Sequence, residues 1–243
     1  GRTAVIGRLT PEAEAEAIRE AERVGARPVL CRRRRPHLEV RAVGDGQEIR
    51  LFDDEPPVRL ALAGEHQARN AALATLIVEE LAVGEEAPSI DRASLIRGLE
   101  RCRRPGRMEW VRGLRRPVLL DAAHNPAAAE ALAAYLSSSS AAPVELVVGA
   151  FEDKDLAGLL RALGPWVDRL RLTTSEHPRS ASPERLAEAW ARAGSGVKPI
   201  LHSNLRRALD EALGSESDHP LCVTGSADLV DKARRILLPK GRP

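Results

Sequence analysis

The sequence predicts an α/β protein whose second half is a mostly parallel, doubly wound sheet. Two observations predict it. Short apolar runs recur at 117–120, 144–148, 169–173, 199–201 and 221–224. Each is followed by a helical pattern, at 126–136, 155–163, 183–193, 204–213 and 227–237. Strands that alternate with helices build βαβ units, so the sheet is parallel and covered on both faces. The first half follows another rule, with a β-rich segment set between two helical ones.

Taken in order, "TAVIG" (3–7) reads as a strand and "TPEAEAEAIREAERVGAR" (10–27) as a helix. Thr10 suits the cap, Pro11 the first position, and glutamates the first turn. "PVLCR" (28–32) is a short strand. "HLEVRAV", "EIRLF" and "VRLALAG" alternate with period two between the turns "GDG" and "DDEPP". Residues 65–83 form a helix with Leu73, Leu76, Ile77 and Leu81 near one face. A Gly/Glu/Pro break, a helix over "IDRASLIRGLERC" and then "RRPGR" mark a boundary, giving domains 1–104 and 105–243. "SSSSAAP" (137–143) reads as a polar loop, and no internal repeat stands out.

Bulk chemistry narrows the function classes. Of 243 residues, 43% are hydrophobic and 30% charged, as in a globular protein. A net charge of +2 is too small to argue for nucleic acid or an anionic membrane. Arginine dominates the cations, with only four lysines (Lys154, Lys198, Lys232 and Lys240). Cys31, Cys102 and Cys222 are scattered and odd in number, which fits neither a disulfide framework nor a zinc site, and suits a reducing cytoplasm. No apolar run reaches a membrane span, and the first residues lack the pattern of a signal peptide.

The stretch that invites chemistry is "RRPVLLDAAHNPAAAEALAAYL" (115–136). A strand there delivers Asp121, His124 and Asn125 to one short turn, and Pro126 then opens a helix. In open parallel sheets, ligands bind beyond the carboxyl ends of the strands. Asp121 suits sugar hydroxyls rather than phosphate, because like charges repel. His124 suits a carboxylate or phosphate oxygen. The plain alternative is that Asp121 or Asn125 caps the helix.

This stretch resembles the "D-G-A-H-N-P" segment of the Mur ligase superfamily, in particular the folylpolyglutamate and dihydrofolate synthases. "GEHQARNAALA" (64–74), "RRPGRME" (103–109), "VVGAFEDKD" (147–155) and "VTGS" (223–226) resemble further segments of that family in the same order. The resemblance implies a partial central ATPase domain followed by a Rossmann-like C-terminal domain. It implies an ATP-dependent ligase that phosphorylates a folate or dihydropteroate carboxylate and joins L-glutamate to the acyl phosphate. It places Asn70, Arg107 and Asp121 on ATP: Asn70 on the nucleotide, Arg107 near the phosphates and Asp121 toward the ribose. His124 is the candidate catalytic residue, orienting the glutamate or the acyl phosphate. A fork of permanent charge suits phosphate.

The chain departs from the family pattern twice. Ala122 stands where the family has glycine, which would cost on the order of 1 kcal/mol if that position required positive φ. No G-x-x-x-x-G-K-S/T loop occurs, so the Mg²⁺ ligands are expected outside this chain and no metal ligand is assigned within it. The expectation is a monomeric ligase fragment, inactive alone, acting on small molecules rather than on nucleic acid or membranes. The alternatives are a peptidoglycan Mur ligase, which joins an amino acid to a UDP-linked precursor, and a non-catalytic α/β binding module.

Other signals carry less. "CRRRRPH" (31–37) has no interleaved aromatics, which argues for a solvated loop or strand end over a nucleic-acid patch. His66 lacks metal-ligand spacing. His177, Arg179 and Lys154 fall on the ligand side of the second sheet, where turn and helix-start roles compete with substrate contact. Ser226, His124 and Asp121 are triad residue types without a nucleophile elbow, and no G-x-G-x-x-G follows a strand.

Overall fold

The computed structural model describes residues 2–35, 37–82, 90–139, 141–194 and 196–239. The chain divides into two compact units, Gly1–Arg103 and Arg104–Pro243.

The first unit begins with β1 (Arg2–Ile6), α1 (Pro11–Arg23) and β2 (Ala26–Leu30), and the two strands pair in parallel. Thr10 Oγ1 caps α1 by accepting from Ala13 N at 3.4 Å. Next comes α2 (Cys31–Arg34), a single turn where a strand end was expected. Its arginines are held by carboxylates: Arg32 pairs with Glu14 at 2.5 Å and Arg34 with Glu80 at 3.7 Å. Arg35, just beyond, reaches Glu79 at 2.5 Å and donates to Leu51 O at 2.6 Å. Those pairs explain why a run of like charges closes into a turn.

β3 (Val40–Val43), β4 (Gly46–Ile49) and β5 (Val58–Leu60) form an antiparallel sheet, followed by α3 (Glu65–Leu81) and α4 (Arg92–Arg101). One apolar cluster joins Ile49, Leu51, Phe52, Val58 and Leu60 to Ala68, Ala71 and Ala72 of α3, with Leu95, Ile96 and Leu99 of α4 against it. A second joins Val29 and Cys31 to Leu76. α3 therefore buries its alanine side together with Leu76, because small residues let the sheet approach closely. Ile77 (39% exposed) and Leu81 (59%) lie off that stripe, contrary to the expected apolar face. The break at 84–89 lies outside the described residues.

The second unit holds β6 (Glu109–Val111), β7 (Val118–Leu120), α5 (Pro126–Ser138), β8 (Val144–Val148), α6 (Leu156–Leu163), β9 (Val167–Leu172), α7 (Pro183–Ala193), β10 (Ile200–Leu201), α8 (Leu205–Gly214), β11 (Leu221–Thr224) and α9 (Ala227–Leu237). The strands pair in the order β10-β9-β8-β11-β7-β6, all parallel except β6, which runs antiparallel to β7. β6 was not expected. Three residues give no period, and long-range contacts hold it: Trp110 Nε1 donates to Tyr135 Oη at 2.8 Å, and Arg234 of α9 grips Glu109 at 2.9 Å. α5 also runs into the serine stretch read as a loop, because Ser138 Oγ and Ser139 Oγ bond back to Tyr135 O.

Residues of one strand alternate between faces. Val118, Leu120, Val147, Leu221 and Val223 pack with α8 and α9 in one core cluster. Leu119, Leu146 and Cys222 point the other way and are fully buried. β11 lies between β7 and β8, although it follows both in sequence. The chain therefore reverses its winding there, which is where such sheets bind ligands, beyond the carboxyl ends.

Candidate functional site

Three loops meet at the carboxyl edge beside β11. The loop after β7 is tied to the end of β11 by Asp121 N donating to Val223 O at 3.1 Å and Gly225 N donating to Ala123 O at 3.0 Å. Gly149 N, after β8, donates to Thr224 O at 3.2 Å. Gly225 has φ +113, and a Cβ there would lie 2.7 Å from Gly149 O. Only glycine admits that approach, so the "VTGS" and "VVGAF" segments are locked together by backbone geometry.

Within this frame Asn125 caps α5, its Oδ1 accepting from Ala128 N at 2.9 Å. Asp155 caps α6 through Gly158 N at 2.8 Å, and Ser226 caps α9 through Leu229 N at 3.1 Å. The capping alternative therefore holds for Asn125, whereas Asp121 caps no helix. Its Oδ1 accepts from Ala123 N at 2.9 Å and its Oδ2 from Met108 N at 3.0 Å. The side chain is only 4% exposed. Burial pushes its carboxyl above the ordinary value, against the two N–H bonds and the charge of Arg107. Ala122 is not among the residues with positive φ, so the alanine in place of glycine is unstrained.

Arg107, Asp121 and His124 thus belong to adjoining segments of one edge. The turn carrying Arg107 is bonded to the loop carrying the other two through Ala122 N to Gly106 O, at 2.9 Å, and Met108 N to Asp121. His124 Nδ1 lies 3.0 Å from Ala122 O. A carbonyl only accepts, so Nδ1 carries the proton, and Nε2 of the neutral ring is an acceptor. Donation from Nε2 to an oxyanion requires the imidazolium. Asn70 belongs to the first unit, exposed on α3, with Nδ2 donating to Gln67 Oε1 at 3.4 Å. His66 Nε2, on the same helix, lies 3.0 Å from Gln67 Nε2.

Further along the edge of the second unit, Lys154 pairs with Asp153 at 3.2 Å and Arg179 with the same carboxylate at 2.7 Å. His177 stacks at 5.0 Å on Phe151, and its Nδ1 accepts from Arg179 N at 3.1 Å. Cys222, buried in β11, is no nucleophile, because burial and then the Asp121 charge raise its thiol pKa. Among the described residues, no group of three or more His, Cys, Asp or Glu side chains could hold a metal ion. None of the described helices is long and apolar enough to cross a membrane.

Met108 and Glu109 stand in "RRPGRME" and Arg234 in the last helix, none of them with a role that the sequence assigns. Glu109 Oε2 accepts from Gly106 N at 2.7 Å and meets Arg234 Nε at 3.0 Å. Met108 has φ +45, which few side chains adopt. Nothing local in "RRPGRME" announces either contact.

A mostly parallel sheet with its loops locked around helix N-termini at a winding reversal defines an α/β domain of the doubly wound class, in which ligands bind beyond the carboxyl ends of the strands. The model of the Mur ligase glutamate ligase domain matches residues 106–227, and the chain belongs to that family. It is 34% identical over 227 residues to the dihydrofolate synthase/folylpolyglutamate synthase of Mycobacterium tuberculosis, covering 88% of this chain and 45% of that protein. It is 26% identical over 241 residues to the folylpolyglutamate synthase of Lacticaseibacillus casei, covering 98% and 54%. Among solved structures, the M. tuberculosis folylpolyglutamate synthase complexed with ADP and AMPPCP superposes with a TM-score of 0.85 at 30% identity, over 99% of this chain and 55% of that one. The chain spans about half the length of these relatives.

Proposed function

We propose that this chain is part of an ATP-dependent ligase that adds L-glutamate to the carboxylate of a folate or dihydropteroate. The γ-phosphoryl group passes to that carboxylate, leaving ADP and an acyl phosphate. The glutamate amine attacks the acyl carbon, phosphate departs, and an amide remains. Arg107 offers a permanent planar charge to the phosphates. Asp121 holds the loop and has lone-pair directions left for a ribose hydroxyl. His124 orients the amino acid or the acyl phosphate. Asn70 is assigned to the nucleotide. ATP is a substrate here, and the divalent metal's ligands are not assigned to this chain.

The observation that carries the reading is the bonding of the Arg107 turn to the Asp121–His124 loop, at the edge where such sheets bind ligands. The likeness to a synthase solved with ADP and AMPPCP supports it. The test joins this chain to the P-loop half of a folylpolyglutamate synthase and measures ADP release with tetrahydrofolate or dihydropteroate plus glutamate. Release that needs both glutamate and the folate, and falls at least tenfold in Arg107→Ala, is expected. Unchanged kinetics in that variant, or turnover only with a UDP-linked precursor, would overturn it.

A further inference from the structure

The turn Gly106-Arg107-Met108 is held by two carboxylates from different places. Glu109, on β6, accepts from Gly106 N at 2.7 Å. Asp121, after β7, accepts from Met108 N at 3.0 Å. Between them Gly106 O accepts from Ala122 N at 2.9 Å. The backbone is forced into this shape. Gly106 has φ +69, and a Cβ there would meet Val230 Cγ1 at 2.7 Å. Met108 has φ +45 with its side chain 3% exposed. An ordinary side chain held at positive φ persists only where its surroundings over-determine it. Here the surroundings are two anions on the flanking N–H groups. Glu109 is itself fixed from the far side by Arg234 of α9, at 2.9 and 3.0 Å.

We propose that Glu109 is a positioning residue: with Asp121 it clamps the backbone on either side of Arg107 and so fixes the point from which that guanidinium meets a nucleotide phosphate. The inference rests on the phosphate role of Arg107 given above. Its own content is that the acceptor offered to Gly106 N–H matters, and that the ion pair with Arg234 serves to hold that acceptor in place. An interaction placed about 1 Å wrong loses much of its value, so loosening the turn weakens phosphate recognition without removing any phosphate-contacting group.

Three variants of the 243-residue chain separate these roles. Glu109→Ala removes the acceptor and the pair. Glu109→Gln keeps a carbonyl acceptor without the charge. The exchange Glu109→Arg with Arg234→Glu restores an ion pair and its stability, but turns a donor toward Gly106 N–H. Two readouts are taken: hydrogen exchange at the Gly106 and Met108 amides, and affinity for ADP compared with adenosine. Glu109→Ala and the double exchange should speed Gly106 exchange and weaken ADP roughly tenfold, the loss of one charged hydrogen bond, with adenosine affected far less. Glu109→Gln should stay within about threefold of wild type. Recovery of ADP affinity in the double exchange would show that the ion pair alone matters and would overturn the proposal. Unchanged Gly106 exchange in Glu109→Ala would overturn it as well. If Arg107→Ala keeps the wild-type preference for ADP over adenosine, the phosphate role of Arg107 falls and the inference falls with it. The exchange data would still tell that failure apart from failure of the clamp.

Discussion

Two buried carboxylates in the second unit solve the same problem in opposite ways. Glu145, in β8, is fully buried and meets Arg171 at 2.5 Å, Arg116 at 2.6 Å and Ser215 Oγ at 2.9 Å. Asp121, at the carboxyl edge, is nearly as buried and, among the described residues, its carboxylate accepts from backbone N–H groups alone. Burial pushes both carboxyls up. At Glu145 the two arginines and the serine reverse the effect and hold the group below the usual carboxylate range. At Asp121 burial wins. The charge of Glu145 is neutralised where it lies, so it locks β8, β9 and the approach to β7 together. Among the described residues no cation bonds directly to Asp121, which lies in a loop beside Arg107.

The largest effect that sharpens this contrast is expected from Glu145→Leu. It leaves Arg116 and Arg171 buried without their shared anion, which should cost about 3–5 kcal/mol in urea unfolding. Arg107-dependent ADP affinity should not change in the molecules that remain folded. A loss below about 1 kcal/mol would mean the network is solvated, and the contrast would break.

Asp121→Asn should cost less stability, about 1–3 kcal/mol, because an amide can accept one of the two N–H bonds but meets the other with a donor. Its effect on ligand use should be the larger one. ADP release in the joined enzyme should fall at least tenfold. Full activity with a lowered unfolding midpoint would make Asp121 a purely structural residue.

The pH dependence of stability should run in opposite directions at the two sites. Glu145 has a folded pKa below 4.5, so its contribution is present above that pH and is lost as pH falls through the folded value. Asp121 has a folded pKa above 3.8, so folding binds a proton and stability falls as pH rises from 3.8 through the folded value. His202 adds to the network's slope. Burial first, then Arg171 and Arg207, hold its imidazole below 6.5 against Glu211 and Glu145, so stability is lost as pH drops from 6.5. Unfolding midpoints between pH 3 and 7 should therefore rise less steeply with pH in Glu145→Gln and more steeply in Asp121→Asn. The same slope in all three proteins would refute both assignments. The smallest effect is expected from Ala122→Gly. With no positive φ to relieve, the family-like glycine should lower stability by up to about 1 kcal/mol, readable as a shift in Tm.

Legibility followed the range of the physics. The βαβ alternation of the second unit, the caps at Thr10 and Asn125, and the loop bearing Asp121 and His124 were all readable, because each depends on neighbours within a few residues. α2 was missed because its arginines are stabilised by Glu14 and Glu80, which lie far away in sequence. β6 was missed because its partners, Tyr135 and Arg234, lie on helices whose packing no local pattern encodes. Glu145 stands in "VELVV" as a lone acid in an apolar run, with nothing nearby to announce two arginines.

By itself, then, the order of residues determined the class of fold, the strand–helix alternation of the second sheet and the short loop that bears Asp121, His124 and Asn125, since hydrophobic period and capping act locally. Only the folded chain decided what each carboxylate does. Whether an acid caps a helix, clamps a turn or neutralises two arginines depends on which donors packing brings within about 3 Å, and those donors come from distant parts of the chain.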